Sequence, residues 1–347
     1  MDTVLVVIAL AFCWSMGAHY TGACMGMTYA LKQLRAWQAL LLMAPLSFLG
    51  AALASHRVEH TVAVRLTDHP LHLNAEVVVL VLAFTLTTVF TKLKIPTSTI
   101  QILVFSLAGV ALGIGVGVAW ATIGLLVLVW FAAPCVAACL GYGFTRLFDA
   151  AGARRSGRGR SAEKSTNLSQ ATMVEKANSA EEIGNRRGSI GVLLILAGAA
   201  ASFVMGSNDV ANATGSLLAT HIFSPLAAGV LGGAGLALGV LTWGRPLLNR
   251  IAFDIVKLDR SMATSAQLTQ ALVVVTAVSF GLFTSMNQSL VGAMAGAGRA
   301  RGNQTVNRSV LVGIVKGWFI GPGAGVAVAY LLSRGIVLFL GHHVLAS

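Results

Sequence analysis

The chain has 347 residues, of which 56% are hydrophobic and only 10% charged, and its mean hydropathy is +0.79. Soluble globular domains carry about 25% charged residues, so the composition excludes one and specifies a polytopic membrane protein. The net charge of +12 would suggest nucleic acid in a soluble chain; here Lys- and Arg-rich cytoplasmic loops account for it, and no nucleic-acid partner is expected.

Met1 leads almost directly into apolar sequence, and Asp2 is the only charge before Lys32, so no cleavable signal is expected. With about 20 residues per crossing, apolar segments fall near 3–31, 36–54, 75–91, 95–119 and 120–145. Arg146 to Arg187 follows, with nine basic and five acidic residues among many Ser, Gly and Ala. It has too few large apolar residues for a core and reads as a solvated linker. Apolar segments resume near 189–219, 224–244, 265–283, 284–303 and 309–333, with a short tail at 336–346. Residues 1–145 and 189–347 therefore form two five-segment halves around a basic linker at 146–188.

The halves resemble each other. Trp130-Phe131, Pro134 and Tyr142 recur as Trp318-Phe319, Pro322 and Tyr330 at an offset of 188. Gly17 and Gly26 correspond to Gly206 and Gly215 at an offset of 189. This is an internal duplication. The turn charges invert between the copies, which predicts an external N-terminus, a cytoplasmic linker and an external loop at 55–74. An odd number of crossings makes the second copy upside-down, the architecture of many secondary transporters, with the site near the midplane. In the outer loop His56, Glu59, His60, Asp68, His69 and His72 read as a solvated cluster rather than a metal site. Cys13, Cys24, Cys135 and Cys139 lie in apolar segments without the ligand pairs that zinc needs, and read as small apolar fillers. Lys316 reads as a snorkelling side chain.

The chemistry concentrates in residues 206–215, Gly-Ser-Asn-Asp-Val-Ala-Asn-Ala-Thr-Gly, inside an apolar run. An aspartate near the middle of a membrane helix costs roughly 2.5–3.5 kcal/mol. Asn208 and Asn212, four apart, share a helix face with Asp209 beside it. Together they offer oxygens to a cation and amide donors to an anion, and Gly206 and Gly215 are expected to permit an irregular backbone. A second feature is Pro96-Thr97-Ser98-Thr99-Ile100-Gln101. Pro96 blocks helix before it, so Ser98 and Thr99 sit where a new helix begins. A helix N-terminus binds oxyanions through free N–H groups. Thr284-Ser285-Met286-Asn287-Gln288 matches this loop at an offset of 187 and would offer the same from the opposite side.

These motifs resemble a known family. Gly206-Ser-Asn-Asp-Val-Ala-Asn-Ala resembles the Gly-x-Asn-Asp-x-x-Asn-Ala signature of the inorganic phosphate transporter family. Pro96-Thr-Ser-Thr and the stretch from Ser285 to Gly296 resemble its repeated Pro-x-Ser-Thr-Thr-His hairpin. The resemblance implies an all-α polytopic membrane protein, an inverted repeat of two five-segment halves with re-entrant hairpins. It implies no enzyme and no cofactor, but a symporter moving inorganic phosphate with sodium or protons across the cell (plasma) membrane. Carried over by position, Asp209, Asn208 and Asn212 would hold the cation. The anion would be held by Asn208, Asn212, Ser98, Thr99, Ser285 and Asn287, with Gln101 and Gln288 where the hairpin motif has histidine.

The departures are specific. His19-Tyr20 stands where the first half would carry its own Asn-Asp pair, Ala23 replaces the following asparagine, and Phe283 and Met286 replace proline and threonine of the second hairpin. The stretch from Gly17 to Gly26 is similar to the sulfate-permease branch of the family. Sulfate is therefore the alternative substrate, and a passive anion channel the alternative of another class. The expected partners are inorganic phosphate or sulfate, the lipid bilayer and, as an open alternative, a second copy of the chain in a homodimer.

Overall fold

Without water to satisfy amide groups, apolar runs of this length are stable only as helices or closed barrels. The computed structural model describes residues 2–93, 97–162, 189–220, 223–248, 259–302 and 308–346, and all its named elements are helical. Pro96 and most of the linker lie outside the described residues. The first half comprises α1 (Asp2–His19), α2 (Thr21–Ala30), α3 (Ala36–Ala54), α4 (His56–Val64), α5 (Leu73–Lys92), α6 (Thr99–Ile114) and α7 (Trp120–Ala162). The second comprises α8 (Ile190–Asp209), α9 (Ala211–Ala219), α10 (Pro225–Trp243), α11 (Arg260–Ser279), α12 (Met286–Ala300), α13 (Arg308–Leu340) and α14 (His343–Ala346).

Eight helical stretches among the described residues are long and apolar enough to cross a membrane, with α1–α2 and α8–α9 each counting as one. The chain is thus a multi-pass membrane protein. Helices α6 and α12 have 16 and 15 residues. At 1.5 Å per residue they reach roughly 24 Å, short of a hydrocarbon core of about 30 Å. Each is preceded by described non-helical residues, 97–98 before α6 and 282–285 before α12.

The boundaries differ from the sequence reading in three places. Helix α7 continues to Ala162, so the expected linker begins as helix. Helix α13 continues to Leu340, so residues 336–340 of the expected tail at 336–346 are the end of a span and His343–Ala346 form α14. Residues 56–64, expected in a solvated loop, form α4; His56 and His60 are exposed on it, but Glu59 is fully buried.

The expected role of Gly206 and Gly215 is also overturned. Both lie within helices, and the interruption falls at Val210, whose backbone stays in the right-handed helical region. The glycines serve close packing instead. A Cβ on Gly17 would collide with the Leu236 carbonyl oxygen, and one on Gly206 with that of Ser47. Gly239 meets the Trp14 carbonyl as Gly50 meets that of Phe203, and Gly296 meets Ala138 as Gly109 meets Val326. Each pair relates corresponding positions, and in each case one half packs on the other. In this way α1 lies on α10, α3 on α8, α6 on α13 and α7 on α12. At one end Arg301 bonds Asp149 Oδ1 at 2.6 Å and Asp259 Oδ2 at 2.8 Å, joining α7 to the start of α11 and the end of α12. All three are partly exposed, so this network adds little to stability.

Gly206→Ala should therefore lower the thermal midpoint in detergent, since overpacking costs roughly 1–3 kcal/mol. Gly124→Ala, whose Cβ meets nothing within 4 Å, should leave it unchanged or raise it. Equal midpoints for the two variants would remove the packing explanation.

Candidate substrate and ion site

Four polar stretches converge where the helices are interrupted: 19–20, 97–101, 208–212 and 284–288. Ser98 and Ser285 are the N-caps of α6 and α12. Ser98 Oγ accepts from the Gln101 N–H at 3.5 Å, and Ser285 Oγ from the Gln288 N–H at 3.3 Å. The two caps are equivalent, and both serines are fully buried. Two helices therefore begin deep inside the protein, each with N–H groups and a partial positive charge at its start.

Tyr20 ties the first hairpin to the centre: its phenol lies 2.6 Å from Thr99 Oγ1, and both residues are buried. His19 ties the second. Its Nε2 is 3.1 Å from Asn287 Nδ2 and its Nδ1 is 2.9 Å from Thr91 Oγ1. His19 and Tyr20 together thus reach the starts of both α6 and α12.

Asn208 acts differently from the expectation. Its Nδ2 donates to the Thr284 carbonyl at 2.9 Å, while its Oδ1 accepts from the Thr284 N–H at 3.2 Å. The same Nδ2 donates to Asp209 Oδ2 at 3.1 Å. Both amide hydrogens are thereby engaged within the protein. Asn208 holds the second hairpin loop and aims Asp209, rather than lying open to a ligand. Asp209 is fully buried, and its Oδ1 has no hydrogen-bond partner among the described residues. Asn212 donates to the Met16 sulfur at 3.6 Å and leaves its Oδ1 unpartnered. Asn287 Oδ1, Gln101 Oε1 and Gln288 Oε1 are also buried without partners. A buried carboxylate oxygen and several amide oxygens without donors form an acceptor set that suits a small cation or a protonated oxyanion.

The sequence reading missed the supports. Gln270 Nε2 donates to the Met286 carbonyl at 3.2 Å, and Gln267 Nε2 donates to the Ala23 carbonyl at 3.1 Å and to Gln270 Oε1. Trp130 Nε1 donates to the Phe283 carbonyl at 3.0 Å. Two fully buried glutamines in an apolar helix were the signal that could have found the first two. Of two buried glutamates, Glu76 was missed and Glu59 was read as solvated. Glu59 accepts from Thr214 and Glu76 from Ser216, each at 2.6 Å.

Comparison with known proteins gives this geometry a family. The model of the phosphate transporter family matches residues 16–329. The chain belongs to that family. Its members are transporters rather than enzymes. Among its relatives, a putative phosphate permease of Chlamydia muridarum is 35% identical over 147 residues, 39% of this chain and 34% of that protein. One of Pyrococcus furiosus is 30% identical over 159 residues, 42% of this chain and 38% of that protein. Sodium-dependent phosphate transporter 1-A of Xenopus laevis is 29% identical over 164 residues, 44% of this chain and 23% of that protein. The chain spans about a quarter to two fifths of the length of these relatives. A solved sodium-dependent phosphate transporter superposes with a TM-score of 0.81 over 97% of this chain and 99% of that one; at 22% identity this establishes the fold.

The clamp on Thr284 makes a testable claim. Asn208→Ala leaves a buried N–H and C=O without partners, at about 1–3 kcal/mol for each group. The variant should melt earlier than the parent, and amide exchange over residues 284–288 should accelerate while α10 keeps its protection. Unchanged exchange at 284–288 would show that other contacts hold the hairpin.

Proposed function

We propose that the chain is a secondary active transporter, a cation-coupled symporter that moves inorganic phosphate across the cell membrane. The observation that carries this reading is the meeting of two capped helix N-termini with a buried carboxylate, Asp209, whose Oδ1 is unpartnered. The starts of α6 and α12, with Ser98, Thr99, Ser285 and Asn287, supply donors for an oxyanion. Asp209, with Asn212 Oδ1, supplies oxygens for a coupling cation. The names of the Xenopus relative and of the structural neighbour favour sodium as that ion. Asp209 also favours phosphate over sulfate as substrate, because a phosphate hydroxyl can donate to it and sulfate has no hydrogen to give.

The organisation follows the same proposal. Residues 1–145 and 189–347 form two copies, the second inverted, joined by a cytoplasmic linker at 146–188, with the N-terminus outside. The corresponding glycine contacts between halves support the duplication, and the inverted turn charges support the orientation. Cysteine placed at the exposed His69 should be modified from outside intact cells, and cysteine at the exposed Ala151 only after permeabilisation. Labelling of both from one side would overturn the inverted topology.

Uptake of radiolabelled phosphate and of sulfate into proteoliposomes, with and without a sodium or proton gradient, tests the transport reading. Accumulation of phosphate driven by a cation gradient is the expected result. Gradient-independent equilibration would indicate a channel, and preference for sulfate a sulfate permease. Asp209→Asn preserves shape and hydrogen bonding but removes the charge that holds the cation. It should fold and bind, yet lose concentrative uptake and its ion dependence. An Asn variant that still accumulates phosphate, with unchanged ion dependence, would place coupling elsewhere.

A further inference from the structure

Beyond the central site, one ionisable group sits in an arrangement that the transport reading does not use. Glu59 lies on α4, outside the eight candidate spans, and is fully buried. Its Oε1 is 2.6 Å from Thr214 Oγ1, and its Oε2 has no hydrogen-bond partner among the described residues. Thr214 lies five residues beyond Asp209, about 7.5 Å along the helix. Its hydroxyl also lies 3.0 Å from the Val210 carbonyl oxygen, a second acceptor for the same hydrogen. That carbonyl belongs to the residue at which α8 gives way to α9, and it also accepts from the Ala213 and Thr214 N–H groups at 3.0 Å.

A threonine hydroxyl has one hydrogen and two acceptors here. When that hydrogen points to the Val210 carbonyl, a charged Glu59 would face an oxygen lone pair at 2.6 Å without a hydrogen between them. The hydrogen must then come from the glutamate. We propose that Glu59 is a proton-binding site whose occupancy sets the direction of the Thr214 hydroxyl. With the proton bound, Glu59 Oε1–H donates to Thr214 Oγ1, and the hydroxyl donates to the Val210 carbonyl. When the proton leaves to water, the hydroxyl turns to the carboxylate, and the carbonyl beside the helix interruption keeps only its two N–H donors. Loading and release therefore act on the backbone next to Asp209.

The surroundings select a proton rather than a metal ion. Hard cations such as calcium and magnesium take about six or more oxygens; among the described residues the side chains named against Glu59 are Thr214 and Ser55, and the Ser55 hydroxyl donates to the Ala51 carbonyl. The packed helices bring no basic group to Glu59. Helices α9 and α10 carry no titratable side chain, α8 carries only Asp209, and α11 carries only Arg260, at the end away from α4. From α1 comes the Cys13 thiol, and α5 carries Glu76, bonded to Ser216 rather than Thr214. On α4 itself His56 and His60 are exposed, and Arg57 donates to the Ser279 carbonyl. Burial pushes the Glu59 carboxyl up to about 7, with the Thr214 hydroxyl and the nearby Ser55 hydroxyl pulling it back. The group is thus neutral below that pH and charged above it.

The inference rests on the transporter reading only for its effect on uptake; the proton itself is read independently. Infrared difference spectra of the full chain in liposomes, taken over roughly pH 5 to 9, should show a protonated-carboxyl band that disappears with a midpoint near 7. That band should be missing from Glu59→Gln. Thr214→Val removes the donor that favours the charged form, so the midpoint should move up. Phosphate uptake by Glu59→Gln should lose the part of its pH dependence that follows this titration. Identical infrared titrations in the parent and Glu59→Gln would overturn the proposal. Should the Gln variant not fold, an unchanged midpoint in Thr214→Val would do the same. A chain that titrates as expected but moves no phosphate would refute the transport reading and leave the proton site standing.

Discussion

The exchange of two hydrogen bonds between the Asn208 carboxamide and the Thr284 backbone is the contact on which the centre of this protein depends. A helix that begins inside a membrane protein exposes backbone groups that lipid cannot satisfy. Each must find a partner or cost about 1–3 kcal/mol. Around the start of α12 the partners come from three other helices and from its own N-cap. Asn208 pairs with Thr284, Trp130 takes the Phe283 carbonyl, Gln270 takes the Met286 carbonyl, and the Ser285 hydroxyl caps the Gln288 N–H. Polar residues in these apolar segments are therefore first a condition of the fold. Because they hold a helix start in place, the same residues leave that start able to face an anion.

In the proposed duplication the two halves meet this problem with equivalent glycine contacts and different chemistry. Glycines at corresponding positions make equivalent contacts, α1 on α10 like α3 on α8 and α6 on α13 like α7 on α12, each across the halves, so neither copy completes its packing alone. At the centre the equivalence ends. Asn208 and Asp209 hold the second hairpin, whereas Tyr20 reaches Thr99 of the first and His19 reaches across to Asn287. A bulky phenol that bonds through one oxygen replaces a carboxylate, so the negative charge at the centre lies on the second half alone.

Much of this was legible in the sequence, for identifiable reasons. Long apolar runs can fold in few ways in a membrane, so the crossings followed from composition, and Pro96 and the hydroxyl residues marked the starts of α6 and α12. Roles that depend on a distant partner were not legible. Gly206 looked like a backbone hinge because nothing local reveals that Ser47 lies against it. Glu59 looked solvated because its neighbours His56 and His60 are polar, while Thr214, which buries it, lies 155 residues away. Asn208 was assigned to a ligand because its type and spacing fit one; its actual partner is a backbone unit 76 residues away. Motif and periodicity find where polar groups are concentrated, but not which of them the fold itself consumes.

A charge balance carries the proposed mechanism one step further. Asp209 contributes −1, a coupling cation beside it +1, and the two helix N-termini about +0.5 each. These sum to about +1, enough to neutralise a monoanion but not a dianion. In a low-dielectric interior an uncompensated charge is costly, whichever group carries it. A site with one carboxylate and one cation therefore accepts phosphate most readily in its dihydrogen form, or as the monohydrogen dianion accompanied by a further positive charge. Sulfate cannot adopt the first solution and would always need the second. In this sum a second carboxylate with its own cation would cancel, so Tyr20, standing where the resemblance implies that carboxylate, leaves the balance near +1. Its consequence is for coupling: the proposed site keeps one carboxylate to hold one cation.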